Sequence, residues 1–199
     1  MKTKSSNPAS NNKAFLLVDG PNLDGAIAAL LGRKPTRDDR PDFSVFAQHI
    51  ELALGARVGC KAYVTLRGSD RASHAFQATL RGSGFGWKVI ASERRMALGD
   101  ADPSDQAALD ALRVAQDLGY REYVVVTHDH GFCPALTALV QGGARVTVCS
   151  FLELLHRDYD ALAQAGASIV DLREIEPRFR PLDPRAERLE DLIDPPDAA

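Results

Sequence analysis

The sequence predicts an α/β domain of three layers, in which helices cover both faces of a central, mainly parallel sheet. Short apolar runs rich in β-branched residues alternate along the chain with longer segments of helical period. This alternation is typical of strands joined by crossover helices. The 199 residues suit one such domain with tails, and no apolar run is long enough to cross a bilayer.

The strands are predicted from short apolar segments that end at turn residues, at 14–19, 57–66, 86–91, 121–127, 144–149 and 168–171. The helices are predicted between them, at 22–32, 43–54, 69–81, 104–118, 133–141 and 151–165. Glycines suited to end a helix follow most of these segments. The domain is therefore expected over residues 13–176, between a disordered tail at 1–12 and a charged, proline-rich tail at 177–199.

Composition excludes several classes of protein. The 24 Lys+Arg against 27 Asp+Glu give a formal charge of -3, which argues against nucleic-acid binding through bulk positive charge. Three cysteines without paired spacing indicate neither a disulfide framework nor a zinc site. The N-terminus lacks the apolar core of a secretory signal, so a reducing cytoplasm is the expected location.

Aspartates follow two of the predicted strands. The first strand runs into Asp19, and the fourth runs through Thr127 and His128 into Asp129. Ligands of open parallel sheets bind outside the carboxyl ends of the strands, so both carboxylates are expected at one edge. Asp105 is expected there too, because the helix at 104–118 follows a strand and so starts at the same edge. Asp105 lies in its first turn, on the face of Leu109 and Leu112.

Three carboxylates at one edge predict a metal site. Like charges this close repel unless a cation lies between them, and oxygen ligands suit Mg²⁺ or Mn²⁺. Such an ion supports phosphodiester hydrolysis, with Thr127 and Asn22 as neutral hydrogen-bonding groups. The alternative, that each aspartate only caps the helix after it, stays open.

The same residues resemble the NYN domain family of PIN-like ribonucleases. The resemblance is carried by Val18-Asp19-Gly20-Pro21-Asn22-Leu23, by the Asp105 helix, and by the segment from Val126 to Leu136, and it covers about 14–172. It implies a PIN-like, Rossmann-like fold, Mg²⁺ or Mn²⁺ held by Asp19, Asp105 and Asp129, and cleavage or binding of RNA. Asn22 and Thr127 match the accompanying polar positions of the motif.

One position departs from the pattern. Members of the family usually carry a second aspartate two places after the strand-end one, and Gly131 occupies that place here. The resemblance therefore implies three acids, with Asp102 or Asp24 as candidate replacements for a fourth.

Basic residues near the predicted edge are candidates for contacts with an RNA backbone. They occur after the first helix, after the second strand and before Asp105, with His130 beside Asp129: Arg33, Arg37, Arg67, Arg71, Arg94, Arg95 and His130. Lys34 and Arg40 extend the first group. Solvated loop charge is the alternative interpretation of any one arginine.

The leading hypothesis is a cytoplasmic, metal-dependent ribonuclease acting on single-stranded RNA, with no membrane partner. A catalytically weak NYN domain that binds RNA or protein is the main alternative, favoured by Gly131. A small-molecule phosphohydrolase on the same fold and association into a homodimer also stay open.

Overall fold

The architecture is a six-stranded parallel sheet, in a computed structural model that describes residues 13–55, 57–67, 88–92 and 103–179. Side chains are described for these residues except 44, 59–67, 88–92 and 103–105. The strands are β1 (Lys13–Val18), β2 (Arg57–Arg67), β3 (Lys88–Ser92), β4 (Glu122–Val126), β5 (Arg145–Ser150) and β6 (Ser168–Asp171). They pair in parallel in the order β3-β2-β1-β4-β5-β6. The predicted parallel sheet is confirmed.

Helices connect these strands, and those predicted at 22–32, 43–54, 104–118 and 133–141 are confirmed to within about two residues. The helices are α1 (Gly20–Leu31), α2 (Phe43–Leu54), α3 (Pro103–Asp117), α4 (Cys133–Gln141), α5 (Asp158–Gln164) and α6 (Leu172–Ile175). Short 3-10 helices lie at His130–Phe132, Leu152–Leu154 and Pro177–Phe179. The helix predicted at 69–81 lies outside the described residues. In the part of the chain that is described, no helix has the length and apolarity of a membrane span.

Two hydrophobic clusters, one on each face of the sheet, complete the three predicted layers. One packs α1, α2 and α6 on the sheet, and the other packs α3, α4 and α5. β1 contributes Leu16 and Val18 to the first cluster and Phe15 and Leu17 to the second, and all four are at most 2 % exposed. Because burial of one such side chain is worth about 1.5–3 kcal/mol, β1 is held firmly from both sides.

The single helix predicted at 151–165 is wrong. The backbone forms a 3-10 turn at Leu152–Leu154, is extended at Leu155, and enters α5 only at Asp158. Phe151 explains the interruption, since its N–H donates to Nε2 of His128 at 2.8 Å and its ring packs against His128 and Phe179. These tertiary contacts hold Phe151 extended and override the local helical preference.

The two described cysteine side chains are buried free thiols. Cys133 lies at the start of α4 and Cys149 in β5. Burial raises the pKa of the Cys133 thiol to about 11 and that of Cys149 to about 12. Both therefore remain protonated and behave as small apolar groups.

A buried carboxylate fastens the segment after β6 to α2. Glu176 is 1 % exposed, and its Oε2 lies 3.2 Å from Nδ1 of His49. Its Oε1 accepts the N–H of Arg178 at 3.3 Å. A carboxylate this buried is tolerated only with such partners, so the contact fixes the end of the described chain.

We expect His49→Ala to lower the free energy of unfolding by about 2 kcal/mol, because Glu176 then loses a hydrogen-bonding partner inside the fold. Glu176→Gln keeps the shape of the side chain and should cost less. Urea denaturation of both variants, with the exposed neighbour Gln48→Ala as a control, measures the difference. Equal midpoints for His49→Ala and Gln48→Ala would contradict the assigned contact.

Candidate active site

Asp19 and Thr127 lie side by side where the two central strands end. β1 and β4 pair in register through Val18 and Val126, and the N–H of Asp19 donates to the carbonyl of Val126 at 2.9 Å. The strand order also changes direction here, because β2 and β3 lie on one side of β1 and β4, β5 and β6 lie on the other. Open α/β sheets bind their ligands at such a switch point.

Asp19 is the buried acid of the site, with 1 % of its surface exposed. Its Oδ2 accepts the hydroxyl of Thr127 at 3.1 Å, and its Oδ1 accepts the N–H of Asn22 at 3.4 Å. It caps the N-terminus of α1, where the helix dipole stabilises a negative charge. The side chain therefore serves the fold as a cap while its carboxylate stands at the edge of the sheet.

One hydroxyl joins the two acids. The Thr127 side chain is fully buried, donates to Asp19 and accepts the N–H of Asp129 at 3.1 Å. A threonine has one donor and two acceptor positions, and both kinds are used here. Thr127 thus fixes the backbone of Asp129 relative to the carboxylate of Asp19.

Asp129 is the more accessible acid, with 28 % of its side chain exposed. Its Oδ1 accepts the N–H of Gly131 at 2.8 Å, and its backbone carbonyl accepts the hydroxyl of Tyr159 at 2.7 Å. Tyr159 is fully buried on α5, and burial raises the pKa of its phenol, so the group stays a donor. The turn at Asp129 is therefore held from its side chain and from its backbone.

Glycine at position 131 has a steric role. A Cβ built on Gly131 would lie 3.2 Å from Oδ1 of Asp129, closer than most such contacts. Any side chain there would require the carboxylate of Asp129 to move by a few tenths of an ångström. Glycine lets that carboxylate keep its hydrogen bond to the backbone.

His128 links three segments next to the acids. Its N–H donates to Oδ1 of Asn22, and its Nε2 accepts the N–H of Phe151. The proton of the neutral ring therefore sits on Nδ1, which is buried and has no hydrogen-bond partner among the described residues. Burial lowers the pKa of His128 to about 4, so the ring is neutral near pH 7.

Asp105 lies in the first turn of α3, which topology places at the carboxyl edge because α3 leads from β3 to the parallel β4. The position shares a helix face with Ala108 and Leu112, which are buried. The side chain of Asp105 lies outside the description. Asp110 has a side chain that is 57 % exposed and bonded to Arg113, as the helical period predicts.

Two of the arginines after α1, Arg33 and Arg40, form ion pairs. Arg33 donates to both carboxylate oxygens of Asp39, and this pairing raises the pKa of the guanidinium and lowers that of Asp39. Arg40 likewise donates to both carboxylate oxygens of Asp24. α1 separates Arg33 from Asp19 by about 18 Å at 1.5 Å per residue, so Arg33 lies far from the acids.

The other predicted substrate-binding residues differ in position. His130 has a side chain that is 58 % exposed, with its Nδ1 4.0 Å from Oδ1 of Asp129. Arg37 is exposed on the loop after α1. Arg67 ends β2, with its side chain outside the description. Arg71, Arg94, Arg95 and the candidate acid Asp102 lie outside the described residues.

The donor chemistry suits a hard divalent cation. Asp19, Thr127 and Asp129 offer carboxylate and hydroxyl oxygens, the ligands that Mg²⁺ and Mn²⁺ prefer. Within the described side chains, no group of three or more His, Cys, Asp or Glu residues is placed to hold a metal ion. The described donors therefore fit such an ion in kind, and Asp19 and Asp129 are the residues among them that would hold it.

Sequence reasoning missed residues that hold this site in place. Tyr159 is bonded to the carbonyl of Asp129, and Phe151 anchors His128. Both were expected only as parts of one helix. Their roles depend on contacts across the sheet, which no local pattern reveals.

A three-layer α/β domain with acids at the carboxyl ends of its central strands is the arrangement of the PIN-like superfamily. The sequence model of the NYN domain family, a branch of that superfamily, matches residues 13–172. The chain therefore belongs to the NYN domain family, as the motifs predicted.

The chain was also compared with solved structures and with curated proteins. The crystal structure of a Vibrio parahaemolyticus protein of unknown function is similar, with a TM-score of 0.63 and 20 % identity, over 84 % of this chain and 98 % of that one. At this identity the similarity shows the fold alone. No curated protein matches the chain.

Proposed function

We propose that this NYN domain is a metal-dependent ribonuclease that hydrolyses phosphodiester bonds of single-stranded RNA in the cytoplasm. The observation that carries the proposal is the link from Asp19 through Thr127 to Asp129 at the switch point of the sheet. The family supports a nuclease-type activity in general.

In this proposal Asp19, Asp105 and Asp129 hold Mg²⁺ or Mn²⁺. When bound, such an ion polarises a phosphoryl oxygen and lowers the pKa of an attacking water. Thr127 keeps the Asp129 turn in register with Asp19, and Asn22 fixes the backbone at His128. These bonds are formed within the protein, so the acids need little rearrangement to act.

The RNA backbone would be bound by the basic residues and histidine that the sequence singles out. Arg37 and His130 are exposed, whereas Arg33 would first have to leave Asp39. Arg67, Arg71, Arg94 and Arg95 complete the proposed set.

The second candidate function is a catalytically weak domain that binds RNA or a protein partner. Gly131 favours it, because the chain has no carboxylate where family members usually carry another. Calorimetric titration with Mn²⁺ separates the two functions. Absence of binding at millimolar Mn²⁺, with RNA affinity retained, would establish the weaker domain in place of the nuclease.

Two aspartates of α3 provide a matched test. We expect Asp105→Asn to reduce Mn²⁺-dependent cleavage of a labelled single-stranded RNA by at least about 100-fold, since a lost ligand removes several kcal/mol of transition-state stabilisation. Asp110→Asn makes the same chemical change five residues away on the exposed face and should leave the rate within about threefold. Equal rates for the two variants would remove Asp105 from the site.

A further inference from the structure

A groove opens beside Asp129, between α4 and α5. Its volume is about 510 Å³, within the range of sites for small organic ligands. Its lining includes small and apolar residues of both helices, Pro134, Ala138 and Ala161. His130 and Asp158 stand at one end, and Gln141 lies farther along α4.

The groove adjoins the turn that carries Asp129. Gly131 forms part of its wall and donates its N–H to Oδ1 of Asp129 at 2.8 Å. A polymer with one monomer bound at Asp129 would therefore place a group of the neighbouring monomer at the entrance of the groove.

Two histidines form an exposed stack at this end. The rings of His130 and His156 lie 4.4 Å apart with 27° between their planes, and their side chains are 58 % and 44 % exposed. The backbone N–H of Asp158 donates to Nδ1 of His156 at 3.3 Å, which fixes the orientation of the ring. Stacked rings so accessible to solvent contribute little to a core, so they offer a flat surface to a ligand.

The charges and the stacked rings at the groove indicate which kind of ligand it can bind. Asp158 lines the groove and Asp129 is bonded to its wall at Gly131, and two carboxylates here disfavour a free anion. The stack does not form a metal centre, since the described part of the chain holds no group of three ligands placed for one. A neutral planar group suits the stack, and its polar edge can bond to the carboxylate of Asp158 or the amide of Gln141.

We infer that this groove binds one nucleobase of a single-stranded nucleic acid, next to the phosphate that reaches Asp129. Bases of single strands stack on histidine and other aromatic side chains. The inference rests on the proposed ribonuclease function, and it assigns His156, Asp158 and the groove to substrate binding. Asp158 accepts hydrogen bonds from a base edge that carries an amino group.

The test measures binding separately from cleavage. Fluorescence anisotropy of a labelled single-stranded oligoribonucleotide is recorded with the Asp105→Asn protein and with the same protein carrying His156→Ala, His156→Phe or Gln164→Ala. We expect His156→Ala to weaken binding about tenfold, because loss of one base stack costs about that much. His156→Phe should restore binding to within about twofold, and Gln164→Ala, exposed at the other end of α5, should leave it unchanged.

Unchanged affinity in His156→Ala, or no recovery in His156→Phe, would overturn the inference. A second measurement needs no variant: titration of the wild-type protein with cytidine, an uncharged nucleoside, should shift the imidazole C–H resonances of His130 and His156. Absence of these shifts at millimolar cytidine would also overturn it.

Cleavage of the same RNA by the wild-type protein separates this inference from the proposed function. Cleavage with no effect of His156 on binding leaves the nuclease and removes the base site. Binding that depends on His156 without any cleavage retains the base site and removes the nuclease.

Discussion

Asp19→Asn is expected to reduce Mn²⁺-dependent RNA cleavage by at least about 100-fold while leaving the fold intact. The loss follows because an amide is a weaker ligand than a carboxylate, and each tenfold in rate corresponds to about 1.4 kcal/mol. The fold should persist because asparagine caps a helix as well as aspartate does, so α1 keeps its N-cap. Single-turnover cleavage measures the rate, and thermal unfolding measures the stability.

The control for this variant is Asp117→Asn, at the exposed opposite end of α3 from the predicted edge. It removes the same charge from the protein and should leave the rate unchanged. If Asp19→Asn cleaves RNA as fast as this control, the buried acid is only a helix cap, and the assignment of the active site fails.

The stability of the metal-free protein is expected to fall by about 3 kcal/mol between pH 6.5 and pH 4 because of His128. Burial lowers the pKa of His128 to about 4 in the folded protein, whereas an unfolded histidine has a pKa of about 6.5. Between these values the unfolded chain binds a proton that the folded chain does not. The contribution is therefore complete above pH 6.5 and is lost as the pH falls towards 4.

Other groups also titrate in this range, so the measurement is a comparison. Urea unfolding at pH 7 and pH 4.5 is recorded for the wild-type protein and for His128→Gln, whose amide oxygen can still accept the N–H of Phe151. The wild-type protein should lose more stability on acidification than the variant. The same loss in both would show that the imidazole is not buried in the folded state.

The layered fold could be predicted because its signals are local. Apolar β-branched runs mark strands, and the residues of β1 alternate between the two clusters as a central strand requires. The break before α5 could not be predicted in this way. It depends on Phe151 meeting His128, which lies 23 residues earlier and on another strand end.

The candidate site also combines features that local patterns predict with features that they do not. The placement of Asp19 and Asp129 at one edge of the sheet can be predicted because each follows a strand, and topology brings such positions together. Thr127 was expected near them as a neutral hydrogen-bonding group, but its bonds to both were not. The stacking of His130 on His156 could not be predicted, because the two residues lie in separate segments of the chain and no local sequence pattern relates them.

The bond between Thr127 and Asp19 joins residues 108 positions apart. β1 emerges early in synthesis, but β4, which completes the edge, follows only after two other strands and their connections. Contacts of such long range form late, because much of the chain must be ordered before they can close. The nascent chain thus carries Asp19 long before β4 is present, and the proposed site would form only as the sheet is completed.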